Sequence, residues 1–275
     1  MKSRKGSKKV TTMNLYRDGV AELKDGIKAW RIWYLLGTAD LRRRHSRSRV
    51  GQLWITLSTG MTILALGLVW SLLWRMPVSG ILPYIAVAMV FWAFITGVLN
   101  EATTAFSSMG NMFLNQKTSF SVAIYAVIYR NLIYVAYNLI IVVLTFAWYA
   151  RLPTASIVLL IPGMSLTLLF LISVAYILAI VATRYRDAVP LTLSLTQIGY
   201  FVTPVLWRPE FIPENYRWLN SVNPFSVFLS LLRDPLLGEQ IPREIWCAAV
   251  VYTVAAILLA LPIIGNYNKR VIYWI

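Results

Sequence analysis

The stretch Leu53–Trp74, LWITLSTGMTILALGLVWSLLW, runs 22 residues without a charge. A bilayer core about 30 Å thick takes about 20 apolar residues in helical form, each rising about 1.5 Å. A cleaved signal peptide would place an apolar run of only about 7–15 residues behind a short basic head. Here the head occupies residues 1–52, so the segment is expected to cross the bilayer and stay there.

Working outward, five further apolar segments follow, at about 83–106, 121–150, 155–182, 188–206 and 245–266. The expected fold class is therefore an all-α integral membrane protein with six transmembrane helices in residues 53–275. The third and fourth segments are long enough to tilt or to continue beyond the bilayer. Pro83, Pro153 and Pro162 mark starts and turns near the membrane edges.

Composition agrees. Of 275 residues, 58% are hydrophobic and 13% charged, against about 45–50% and about 25% in soluble domains. The net charge of +15 raises the question of nucleic acid, but 14 of the 26 Lys and Arg lie in residues 1–52. That is a basic cytoplasmic segment at a membrane surface, and no nucleic-acid partner is expected. With the N-terminus inside, 19 cations fall on the cytoplasmic side and 6 outside, which places both termini of a multi-pass protein in the cytoplasm. Cys247 is the single cysteine and His45 the single histidine, so neither an internal disulfide nor a metal site is expected.

Before the first span, Leu23, Ile27, Trp30 and Tyr34 recur at helical spacing while Lys24, Lys28 and Arg31 take another face. This predicts an amphipathic helix over about 15–38, lying in the membrane interface. A partner's docking surface and a plain membrane anchor both fit the pattern.

Residues 207–244 are too apolar for a solvated loop and too rich in proline to span. Two short helices, about 213–221 and 225–233, fit best as elements that dip back into the membrane in a gate region over 207–238, the alternative being a helix pair lying flat in the interface. Pro213, Trp218, Asn223, Pro224, Phe225 and Phe228 are its candidate residues. Re-entrant backbone is tolerated only under protein or beside water.

The chain has no G-x-x-x-x-G-K-[ST], G-x-S-x-G or H-E-x-x-H signature, so neither catalysis nor a cofactor is expected on this chain alone. Two ionisable groups fall within spans, Glu101 and Arg130, and they are placed to form an ion pair between neighbouring helices. Tyr125, Tyr129, Tyr134 and Tyr137 crowd the third span. Aromatic faces stack on sugar rings, so these tyrosines suit a glycan pore lining, and they suit a helix-packing seam equally well.

Arg47-Ser48-Arg49-Val50-Gly51-Gln52-Leu53-Trp54 and Leu57 together resemble the R-S-x-L-G-x-x-W-x-x-L-x-P motif of polysaccharide-export ABC permeases, with Val50 and Thr59 as departures. Arg184-Tyr185-Arg186-Asp187, Pro190, Gln197, Thr203-Pro204-Val205, Ile212-Pro213, Leu219-Asn220, Asn223-Pro224 and Leu236-Leu237-Gly238 are similar to a second succession in that family. The family serves O-antigen, capsular polysaccharide and teichoic acid. The resemblance implies a homodimer with two copies of a separate ATP-binding cassette subunit, which holds ATP and magnesium. It implies docking of that subunit through the interface helix (Leu23, Ile27, Trp30) and the loop after the second span (Asn111, Asn115, Lys117). It also implies a lipid-linked glycan entering beside Trp54, where Arg42, Arg43, Arg44, Arg47 and Arg49 suit a pyrophosphate. Membrane lipids compete for the same cations. A small-molecule efflux permease is the nearest alternative. A lipid-modifying enzyme would need a His, Asp or Glu cluster at one membrane face, and a channel a filter sequence; neither is visible.

Overall fold

The computed structural model describes residues 12–45, 51, 53–151 and 154–275. Among the described residues the regular elements are all helical. The chain runs α1 (Thr12–Lys28), α2 (Trp30–His45), α3 (Leu53–Trp74), α4 (Val78–Ala102), α5 (Ala105–Ser108) and α6 (Gly110–Asn115). It continues with α7 (Ser121–Trp148), α8 (Leu160–Arg184), α9 (Ala188–Val202), α10 (Trp218–Val222), α11 (Pro224–Leu237) and α12 (Arg243–Val271). Short 3₁₀ turns precede α8 and α10.

Among the described residues, five helices are long and apolar enough to cross a membrane: α3, α4, α7, α8 with its preceding 3₁₀ turn, and α12. The remaining expected segment, 188–206, forms α9, of 15 residues. At about 1.5 Å per residue that is about 22 Å, short of a bilayer core. It stops because Thr203 precedes Pro204 and is driven into extended backbone, at φ −90° and ψ 142°.

α4 is the buried centre, packed against α3, α7, α8, α9 and α11. It begins at Val78, ahead of Pro83, so the proline sits inside the helix. Pro83 has no N–H to give the Ser79 carbonyl, and the Arg151 guanidinium donates to that carbonyl at 3.3 Å.

The N-terminal helical region is longer than its amphipathic pattern suggests and breaks at Ala29. α1 lies on α12 and α7, and α2 lies on α7. Two glycines allow the first contact: a Cβ on Gly19 would overlap the Leu261 carbonyl, and one on Gly265 the Leu15 carbonyl. Glu22 then ties α1 to the start of α7, accepting from the Ser119 hydroxyl at 2.6 Å and the Ser121 amide at 3.2 Å. These helices mark the basal end of the bundle, and α10 and α11 the distal end.

α11 has well-defined caps. The Asn223 side chain accepts from the Phe225 amide at 3.0 Å, Pro224 takes the first turn, and Gly238 closes the helix at φ +76°. It is longer than the expected 225–233 and is buried from Ser226 to Pro235 between α4, α8 and α12.

Candidate functional site

At the basal end, α2, α4, α5 and α7 enclose a cleft of about 440 Å³. Arg130, 5% exposed, is its centre. Its Nε and Nη2 donate to Glu101 Oε2 at 2.9 and 2.6 Å, and its Nη1 donates to Asp40 Oδ2 at 2.9 Å. Arg43 reaches the other Asp40 oxygen at 3.2 Å, and Asn131 Nδ2 donates to Glu101 at 3.0 Å. Two carboxylates and two guanidinium groups thus nearly neutralise one another while fastening α2 to α4 and α7. Such a cluster holds position and does not offer a free anion site.

Midway along the bundle, α4 and α9 border a groove of about 490 Å³ lined by Trp92, Thr96, Asn100, Thr196, Gln197 and Tyr200. Thr196 donates to Asn100 at 3.3 Å. Gln197 is exposed on a helix whose neighbours Leu193, Ile198 and Phe201 are also exposed. A primary amide facing hydrocarbon lacks hydrogen-bond partners, so this face calls for water, protein or a polar ligand. Trp92 carries the aromatic lining toward the distal end, its ring 5.8 Å from Tyr200 and 5.5 Å from Phe225. Gly199 lets the Trp92 and Phe225 rings approach α9 closely.

The distal end holds a second buried cation. Arg233, 1% exposed, lies in α11. Its Nε donates to Asp234 at 2.7 Å, and Nη1 donates to the Tyr84 hydroxyl at 2.6 Å and the Pro204 carbonyl at 2.7 Å. The Tyr84 hydroxyl in turn lies within donating distance of the Pro204 and Trp207 carbonyls. Arg233 and Arg208 flank the Tyr84 ring at 4.7 and 5.1 Å. These donors satisfy the Pro204 and Trp207 carbonyls of the irregular backbone that follows the end of α9. Arg208 also lies 3.9 Å from Glu239. The Glu239 carboxyl is pushed above its ordinary range, by burial first and then by the Asp234 charge.

The residues singled out from the sequence are distributed as follows. Glu101 and Arg130 meet in the basal cleft. Tyr125 donates to the Leu23 carbonyl at 3.1 Å, and the Tyr129 ring lies 5.6 Å from Trp33 and 5.3 Å from Tyr34. Both therefore sit in a packing seam under α1 and α2, apart from Tyr134 and Tyr137 further along α7. Asn111, Asn115, Lys117, Ile27 and Trp30 are exposed, while Leu23 packs on the core. Pro213 and Trp218 are exposed, Phe225 is half-buried, and Phe228 is buried with its ring stacked 4.2 Å from Phe170. Asn223, besides capping α11, donates to Thr203 at 3.0 Å and so joins α11 to the break after α9. Arg42, Arg43 and Trp54 are exposed; the Arg44 side chain, Arg47 and Arg49 lie outside the described residues.

Sequence reasoning missed the distal centre. Arg233 is one of the 6 cations assigned above to the outer side, and the structure places it among the most buried side chains of the described residues. The available signal was its setting, Leu231-Leu232-Arg233-Asp234-Pro235-Leu236-Leu237, a charge pair inside an apolar run. Trp92 was missed as well, and Gln197 was noticed only as part of a motif.

Residues 32–237, most of the chain, match the family described as ABC-2 type transporter. Two O-antigen export system permease proteins, both designated RfbA, are similar. That of Klebsiella pneumoniae is 21% identical over 234 residues, spanning 84% of this chain and 88% of the relative. That of Myxococcus xanthus is 23% identical over 168 residues, spanning 61% and 65%.

Proposed function

We propose, since this chain belongs to the ABC-2 type transporter family, that it is the membrane permease subunit of an ATP-driven exporter carrying a lipid-linked glycan across a bacterial inner membrane. It works as a homodimer on two copies of a separate ATP-binding subunit, which holds ATP and magnesium. Both termini are cytoplasmic, so the basal end faces the ATPase. α9 and the extended residues after it complete a sixth crossing, and α10 with α11 form the re-entrant outer gate.

The observation that carries the glycan reading is the groove between α4 and α9. Its amides and hydroxyls suit sugar hydroxyls, and Trp92 and Tyr200 offer faces to the apolar side of a sugar ring. This moves the proposed lining from Tyr125 and Tyr129 to α9 and α4. A drug pocket would lack the need for exposed amides in an apolar helix. Asn111, Asn115 and Lys117, with the exposed face of α1, remain the proposed ATPase contact.

The test is export in cells lacking this chain and complemented with variants. Gln197→Leu and Tyr200→Ala are expected to lower surface glycan about tenfold, the factor that about 1.4 kcal/mol of lost interaction represents. Lipid-linked glycan should accumulate inside while the protein level stays normal. A complex that exports dyes and leaves glycan levels untouched would overturn the reading.

A further inference from the structure

A second cavity lies beside the proposed path, between α3, α4 and α7. Its volume is about 350 Å³, at the small end of ligand sites, which run from about 300 to 1,000 Å³. Its polar lining consists of Thr59, Asn131, Tyr134 and Asn138, set among Ile55, Phe94 and other apolar groups.

The polar groups are unusual in what they leave available. Asn131 spends its amide protons on the Val127 carbonyl at 2.9 Å and on Glu101 at 3.0 Å. Only its carbonyl is left to face the cavity, and Gly97 makes room for that oxygen. Asn138 is 4% exposed, and its buried Oδ1 has no hydrogen-bond partner. A buried acceptor without a donor is rare in folded proteins and asks for an occupant. Asn131, Tyr134 and Asn138 share one face of α7, spaced three and four residues apart, so the acceptors form a track about 10 Å long. Asn131 joins the foot of that track to the basal cleft through Glu101.

This chemistry selects the ligand. The lining holds no cation for a phosphate and no carboxylate for a metal. Two amide acceptors, two hydroxyls and one aromatic ring in an apolar setting fit a neutral group rich in O–H donors. We propose that the cavity holds a hydroxyl-bearing headgroup admitted from the bilayer past α3, and that this group is a sugar ring of a lipid-anchored ligand. The choice of sugar rests on the export reading. The glycerol of phosphatidylglycerol offers the same donors and is the competing source.

The experiment uses the full chain in phosphatidylcholine nanodiscs, without any ATPase. The probes are farnesyl diphosphate carrying N-acetylglucosamine, farnesyl diphosphate alone, and phosphatidylglycerol as competitor. Asn138→Leu is expected to raise the Kd of the sugar-bearing probe about tenfold and leave farnesyl diphosphate unchanged. Without ligand it should melt no lower than the parent, because the orphaned acceptor is gone; Thr59→Val repeats the binding test from α3. Unchanged sugar binding in Asn138→Leu, or equal loss of both probes, overturns the proposal. Equal displacement by phosphatidylglycerol overturns the sugar and assigns the cavity to bulk lipid. Because export is not measured here, failure of this test leaves the export reading standing, while failure of the export reading would remove the sugar and leave a site for a hydroxyl-bearing headgroup.

Discussion

The two buried arginines differ in what they hold. Arg130 at the basal end bridges two carboxylates on two other helices, Asp40 of α2 and Glu101 of α4, beside an open cleft. Arg233 at the distal end, 1% exposed although it borders a cavity of about 610 Å³, pairs with its own neighbour Asp234 and spends its other donors on Tyr84 and the Pro204 carbonyl. The first is a joint between side chains, and water can re-solvate its parts if it opens. The second ties down the irregular backbone after α9, and opening it would take a donor from the Pro204 carbonyl and a partner from Asp234. The comparison teaches that charge inside an apolar protein serves two separate ends. One cation links movable elements, and the other completes irregular backbone.

The largest expected effect tests the distal knot. Arg233→Met leaves Asp234 buried without its partner and takes one of its two donors from the Pro204 carbonyl, the Tyr84 hydroxyl being the other. Breaking a buried pair from one side costs about 3–5 kcal/mol. Loss of the folded protein in detergent, followed by thermal unfolding, is the expected outcome; a normal melting curve would show that the knot is dispensable.

The basal joint should yield less. Arg130→Glu is expected to cost about 1–3 kcal/mol, since its partners reach the cleft. Adding Glu101→Arg should restore only part of the loss, because Asp40 would then face a carboxylate. Adding Asp40→Asn as well should restore more. Thermal stability and export are read together across the series. Full rescue by the two-residue swap would mean that Asp40 contributes nothing and that α2 is held by apolar packing alone.

The smallest effect concerns pH. Glu239 has a raised folded pKa, so its protonated form is favoured in the fold. Its contribution is therefore present at low pH and lost as pH rises through the folded value. Glu239→Gln should flatten the unfolding temperature between about pH 4 and 7 without lowering it at neutrality. A steeper profile would contradict the assignment.

Much of the fold was legible beforehand, because lipid as solvent makes spans a matter of local composition. Leu53–Trp74 reads as a crossing from its own residues. The end of α9 is equally local, since Pro204 forbids helix at Thr203. Glu101 and Arg130 stood out because charges are rare in apolar runs. The partners were not legible. Asp40 looked like one more charge in a basic segment, and Tyr125 and Tyr129 shared a face whose neighbour was unknown.

The sequence alone determined the helices, the basic segment before the first span and the absence of phosphate-loop chemistry, all of which depend on residues close in the chain. Tertiary structure decided which face of each helix is covered. It put α1 and α2 over the tyrosines, set Asn138 facing a cavity without a donor, and turned Arg233 from an apparent loop cation into the donor for a broken helix. The reason is physical. Hydropathy is summed along the chain, whereas a hydrogen bond or ion pair is satisfied across space, between residues up to 242 positions apart.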